Sequence, residues 1–146
     1  MADTNVHPDS TGTNQWTIYP SGTAHGAVDE GTSAGGHTPD DGDYIYAQTA
    51  NYSVTLGWGD TPSDANLITS IALHVRAKID DGNGTGQIEV KAYHSTSTQI
   101  GSTLYVTGSD LGGYGVIGEC TKTWSGLSLT KTQADSLTIT FKLLAS

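Results

Sequence analysis

Cysteine and positive charge are what this sequence has least of. Its 146 residues include one cysteine, Cys120, so no internal disulfide framework can staple the fold. Lys and Arg number six against fifteen Asp and Glu, for a formal net charge of −9 and a pI near 4.6. A chain this acidic gains nothing from counterion release on DNA or RNA, and anionic lipid repels it. Nucleic acid and membrane are therefore not expected partners. No run approaches the ~20 apolar residues of a membrane span. The opening Met-Ala-Asp-Thr-Asn has neither the basic nor the apolar region of a secretory signal, so folding in a cytoplasm is expected. Large apolar side chains are also scarce: the hydrophobic fraction is 35%. Gly, Thr and Ser take their place, as they do in short strands joined by many turns.

The charge is unevenly spread. All six basic residues (Arg76, Lys78, Lys91, Lys122, Lys131, Lys142) stand at or after position 76, while residues 1–75 carry nine acids. Apolar periodicity divides the chain in the same direction. In residues 1–42 the larger apolar residues after Met1 are Val6, Trp16, Ile18, Tyr19 and Val28. The stretch 21–42 has too little apolar surface for a core and exceeds the usual 12–15 residues of an unstructured loop. An extended N-terminal arm with one short strand at Asn14–Tyr19 is expected there, and a domain at 43–146.

Alternation of period two governs that domain. Tyr44–Tyr46 and Tyr52–Trp58 read as short strands, the second with Tyr52, Val54, Leu56 and Trp58 inward. In Ile71–Ile79, Ile71, Leu73, Val75, Ala77 and Ile79 alternate with Ala72, His74, Arg76 and Lys78. After the turn at Asp80–Thr85, Gly86–His94 turns Ile88, Val90 and Ala92 inward. Paired as a hairpin, these two strands set Ala77 against Ile88, Val75 against Val90, and Arg76 against Glu89. Ser95-Thr96-Ser97 turns into Ile100–Val106. Gly115–Trp124 is a further strand, Thr130–Gln133 has the spacing of a capping box, and Ser136–Leu144 is a core strand. About eight strands and no long helix predict an all-β fold: an antiparallel two-sheet β-sandwich, jelly-roll-like.

Catalytic chemistry finds little to use. Gly-x-Ser-x-Gly is absent, and Cys120 lies in a strand with no histidine beside it, which reads as a bystander thiol. His74 and His94 fall on opposite faces in the hairpin register, opposite Lys91 and Ile71. His7, His25 and His37 lack zinc spacing. No enzyme is expected. Ca²⁺ is the one ion the acids could hold, at Asp80, Asp81 and Asn83 or at Asp40, Asp41 and Asp43. Asp-Gly and Asn-Gly are equally what turns require. For a glycan platform, Trp58 and Trp16 fall on core parity, which leaves Trp124 and some tyrosines.

The order of these features carries a resemblance. Trp16 precedes a Gly- and Asp-rich stretch with Val28-Asp29-Glu30, then Asp40-Asp41-Gly42-Asp43-Tyr44-Ile45 and the long strand Ile68–Ala77. Trp124-Ser-Gly-Leu127, a helical turn and Leu137–Phe141 close the chain. Over residues 16–144 this resembles small β-sandwich structural proteins of tailed phages, of the capsid decoration (cement) kind. The resemblance implies a non-enzymatic virion protein, assembled in the host cytoplasm, that binds the major capsid protein or other virion subunits. It implies a homo-oligomer, a trimer before others. Trp16, Tyr19, His25, Asp29, Glu30 and His37 are then candidate partner-binding residues. A carbohydrate-binding module or a tail or fibre accessory domain is the alternative.

Overall fold

The computed structural model describes residues 6–28, 41–58 and 61–145. The fold is mostly β, in several antiparallel sheets. The strands run β1 (Pro8–Asn14), β2 (Thr17–Tyr19), β3 (Tyr44–Tyr46), β4 (Ser53–Trp58), β5 (Leu67–Lys78), β6 (Gln87–His94), β7 (Thr98–Thr107), β8 (Ile117–Thr130) and β9 (Thr138–Ala145), with a 3-10 turn at Ser109–Leu111 and one short α-helix, α1 (Lys131–Asp135). Five strands form the main sheet in the order β1-β4-β9-β6-β7, and β2-β3 and β5-β8 form two-stranded ribbons.

The period-two reading of faces holds in the main sheet. Val54 and Leu56 of β4 stand beside Phe141 and Ile139 of β9, which in turn stand beside Val90 and Ala92 of β6. These six, with Ile100 and Val106 of β7, line one face. The β5-β8 ribbon packs on that face through Leu73, Trp124 and Leu129. The β2-β3 ribbon covers its other end through Ile18 and Ile45, with buried Ala24. Trp16, Trp58 and Phe141 touch both clusters and join them. Tyr52, expected inward with Val54, is instead exposed ahead of β4. The capping box is present: the Thr130 hydroxyl accepts from the Gln133 N–H, and the Gln133 side chain accepts from the Thr130 N–H.

Two expectations are corrected. The hairpin of residues 71–79 with 86–94 does not form. β5 pairs with β8, setting Ile71 against Trp124, Val75 against Cys120 and Arg76 against Glu119, while β6 lies between β7 and β9. Alternation shows which side chains face a core, and it is the same for strands side by side and for strands in facing layers. The loop between β5 and β6 carries the chain from the ribbon to the sheet. The second correction concerns the boundary at residue 42. β1 is an edge strand of the main sheet, bonded to β4, and Trp16, Ile18, Ala24 and Val28 pack in the core. Residues 8–28 thus belong to the body of the fold and not to an arm. Asp29, Glu30, His37 and Asp40 lie outside the described residues.

β8 runs past its expected end at Trp124 because a bulge, with Gly126 at φ 67°, absorbs a register shift against β5. A second bulge, in β7 at Gly101–Thr103, opens between the Val90–Leu104 and Ala92–Ile100 pairs. Gly101 has φ 59°, and a Cβ there would stand 2.8 Å from Trp124 Cδ1. The indole N–H of Trp124 donates to the Ser102 carbonyl at 2.8 Å. Gly101→Ala should therefore cost about 1–3 kcal/mol through overpacking at a left-handed position. Trp124→Phe, which orphans the Ser102 carbonyl, should cost about 1 kcal/mol. Urea melts will read both, and an unchanged midpoint for Gly101→Ala would show that the bulge does not depend on glycine.

Candidate functional site

Charged side chains are largely occupied with one another. Arg76 makes a two-pronged contact with Asp41, Nε to Oδ1 at 2.9 Å and Nη2 to Oδ2 at 2.7 Å, and reaches Glu119 at 3.3 Å. Lys78 meets Asp80, Lys122 meets Asp110, and Lys131 meets Asp135. Lys91 and Lys142 share Glu89. Every basic residue of the chain is thus ion-paired, and the net −9 is carried by acids outside those pairs. Arg76 was expected opposite Glu89. It finds its cross-strand acid in Glu119, while Glu89 faces Lys142.

The calcium candidates separate. Asp41 serves Arg76, and Asp80 serves Lys78. Asp81 is only 8% exposed. Its Oδ1 accepts from the Asn83 N–H at 2.9 Å, and its Oδ2 accepts from the Thr85 N–H at 2.6 Å, the Thr85 hydroxyl and the Gly86 N–H. The N–H of Asn83, then those of Thr85 and Gly86, hold its carboxyl below the usual carboxylate range. Such a carboxylate locks the crossover loop from within. No group of three or more His, Cys, Asp or Glu among the described residues could hold a metal.

Nor do the histidines converge. His74 Nδ1 shares a hydrogen bond with Thr121 Oγ1 at 3.0 Å on the ribbon, and His94 with Ser95 Oγ at 2.9 Å at the end of β6. Thr121 and Thr98 take the register positions expected of Lys91 and Ile71. His25 bonds Thr11 Oγ1 at 2.9 Å, which fastens residues 23–28 to β1. Cys120 is half-buried in β8, and burial pushes its thiol up, the reverse of what activates a nucleophile.

Two surfaces are left. The outer face of the main sheet is polar: Thr55, Thr140 and Lys91 form one row, and Ser53, Lys142, Glu89 and Tyr105 form the next. Thr55 and Thr140 hydroxyls bond at 2.8 Å. A shallow groove of about 490 Å³ crosses this face between Gly12, Thr55, Thr140 and Tyr93. The second surface is aromatic. Tyr19, Tyr44 and Tyr46 are all exposed on the β2-β3 ribbon, with Tyr19 stacked on Tyr44 at 4.9 Å between centroids. Trp124, expected to be free for a glycan, is buried at 3% exposure. Of the candidate partner-binding residues, Tyr19 is exposed, while Trp16 and His25 are half-buried and bonded within the chain. Tyr44 and Tyr46 flank Ile45 and so share a face by parity, whereas their pairing with Tyr19 has no local signal in the sequence.

No protein-family model, curated protein or solved structure matches the chain.

Asp135 yields a pH prediction. Lys131, then the Thr61 hydroxyl and N–H, hold its pKa at about 2 against an ordinary 3.8, and Asp81 is lowered too. A depressed carboxyl contributes stability that is full above its unfolded pKa and is lost as pH falls through the folded one. The melting temperature should hold level above pH ~5 and fall between pH ~4 and ~2. Asp81→Asn and Asp135→Asn should each lower the plateau and flatten the fall. An acid limb as steep in the double variant as in the parent would assign the loss to other carboxylates.

Proposed function

We propose that this chain is a non-enzymatic virion structural protein of the capsid decoration kind, a jelly-roll-like β-sandwich that holds neighbouring subunits through surface area. The outer face of the main sheet carries this reading. Five strands about 4.8 Å apart and six to ten residues of about 3.3 Å each offer roughly 600 Å². A stable partner needs about 800 Å² a side, so this face and its rim approach one full interface. The face is rich in hydroxyls, and Glu89 is shared by Lys91 and Lys142 on it, so that these three leave one net positive charge. It gives a partner many hydrogen bonds with little charge to desolvate.

The edges fit the same use. Among the described residues β7 borders the sheet, and its Leu104–Val106 segment beyond the bulge pairs with no strand on its outer side, while the Thr107 N–H donates to Asp110 Oδ2. Such an edge accepts a strand from a neighbour. With residues 8–28 folded into the body, attachment falls to this face and edge. The partners are the major capsid protein or other virion subunits, in the setting of an assembled particle, and a closed trimer is the favoured self-assembly.

Native mass spectrometry should find a homo-oligomer, first of all three copies of the 15.2 kDa chain. The chain should also co-sediment with capsids when co-expressed with the major capsid protein of its own particle. Lys91→Glu with Lys142→Glu, which leaves Glu89 among like charges, should abolish co-sedimentation while the monomer stays folded. Wild-type chain that stays in the supernatant would overturn the reading.

A further inference from the structure

β2 and β3 are three residues each, and their register sets Thr17 against Tyr46, Ile18 against Ile45, and Tyr19 against Tyr44. The central pair turns into the core. The outer pairs share the opposite face, where Tyr19, Tyr44 and Tyr46 are 50%, 44% and 37% exposed. Tyr19 and Tyr44 lie nearly parallel, 23° apart, and so cover one face of each other. Tyr46 differs. Its ring is 6.0 Å from Tyr44 and tilted 51° to it, and across the ribbon it meets only the small Thr17. Tyr44 and Tyr46 thus form a tilted contact pair, and with Tyr19 and the exposed Thr17 they make a small aromatic platform on the outside of the ribbon.

We propose that this platform on the β2-β3 ribbon, formed by Tyr44 and Tyr46 beside Thr17, with Tyr19 bracing Tyr44, binds a neutral glycan. Size is the first argument. Two strands of three residues cover roughly 100 Å², far below the ~800 Å² that a protein partner or a second copy needs on each side. A ring or two of sugar fits that footprint. Chemistry is the second. Pyranose C–H faces pack on aromatic rings, and their hydroxyls find partners in phenol and threonine hydroxyls. Apart from the rings, the ribbon's exposed face offers no apolar side chain to seat an aliphatic anchor. Charge is the third. Asp43 adjoins Tyr44, and every basic residue of the chain is held in an ion pair, Arg76 by Asp41 and Glu119. An anionic sugar would meet repulsion here with no free cation to offset it. This inference does not depend on the virion reading, which uses the other side of the molecule.

Native affinity electrophoresis of the full chain through gels carrying a soluble neutral glucan, mannan or galactan tests it, with an acidic pectin alongside. At least one neutral polymer should retard the chain, and pectin should not. Tyr46→Ala should weaken retardation about tenfold, the worth of one stacked ring. Tyr46→Phe should keep most of it, and Tyr105→Ala on the sheet's outer face should bind as the parent does. Tyr46 is exposed, and matching thermal melts will show that its variants fold. Retardation by none of the neutral polymers, or undiminished retardation of Tyr46→Ala, overturns the proposal. So does stronger retardation by pectin, or a dimer mass that Tyr46→Ala abolishes. Capsid co-sedimentation persisting without glycan binding would sink this inference alone.

Discussion

The indole of Trp124 is the contact on which the two layers depend. It is the largest side chain that β8 sends toward the main sheet, and it arrives where β7 has been opened by a bulge to receive it. A flat β7 would present Cβ atoms at that point. Gly101 removes one, and the bulge turns the Ser102 carbonyl to accept the indole N–H. The buried polar atom of the tryptophan is thereby satisfied, so its burial costs nothing in unmade hydrogen bonds. Its position along β8 is fixed in the same stroke. Ile71 lies opposite Trp124 on β5, so the anchor also sets how the whole ribbon rides over β6 and β7.

What the sequence could disclose follows from what periodicity encodes. Inward residues of β4, β6, β7 and β9 were legible because parity is local. Partners were not, because Leu73 and Val90 look the same to parity whether they share a sheet or face each other across a core. The Arg76–Glu89 pairing shows the hazard. An acid stood at a suitable register position in β6, and a better one, Glu119, stood more than forty residues downstream in β8. Asp81 holds the deciding information. A carboxylate that gathers the N–H groups of Asn83, Thr85 and Gly86 makes a loop broad enough to change layers, where a two-residue hairpin turn would have kept β5 and β6 side by side. Asp-Gly in the sequence suits either.

The same limit applies to residues 8–28. They are poor in large apolar side chains, and composition alone puts them outside a core. An edge strand needs little apolar surface, since β1 is held by backbone bonds to β4, and Ala24 is fully buried in the cluster of Val54 and Leu56. Small residues look like linker by composition and act as close-packed spacers in the fold. The tyrosine ridge stayed half-hidden for a related reason: Tyr19 and Tyr44 are neighbours only through the pairing of β2 with β3.

Charge draws these strands together. With its six Lys and Arg side chains each paired with an acid, none of them stands free to seek a polyanion, and the surplus negative charge keeps copies apart at long range. Any association must therefore come from short-range contact that outweighs mild repulsion. The two surfaces able to supply it are chemically unlike and lie on different layers. The sheet's outer face is broad and rich in hydroxyls, which suits a large partner of matching shape. The ribbon's tyrosine platform is small and aromatic, which suits one ring at a time. Under the two proposals the sheet would hold the chain to a scaffold and the ribbon would take a sugar ring, each through short-range contact alone.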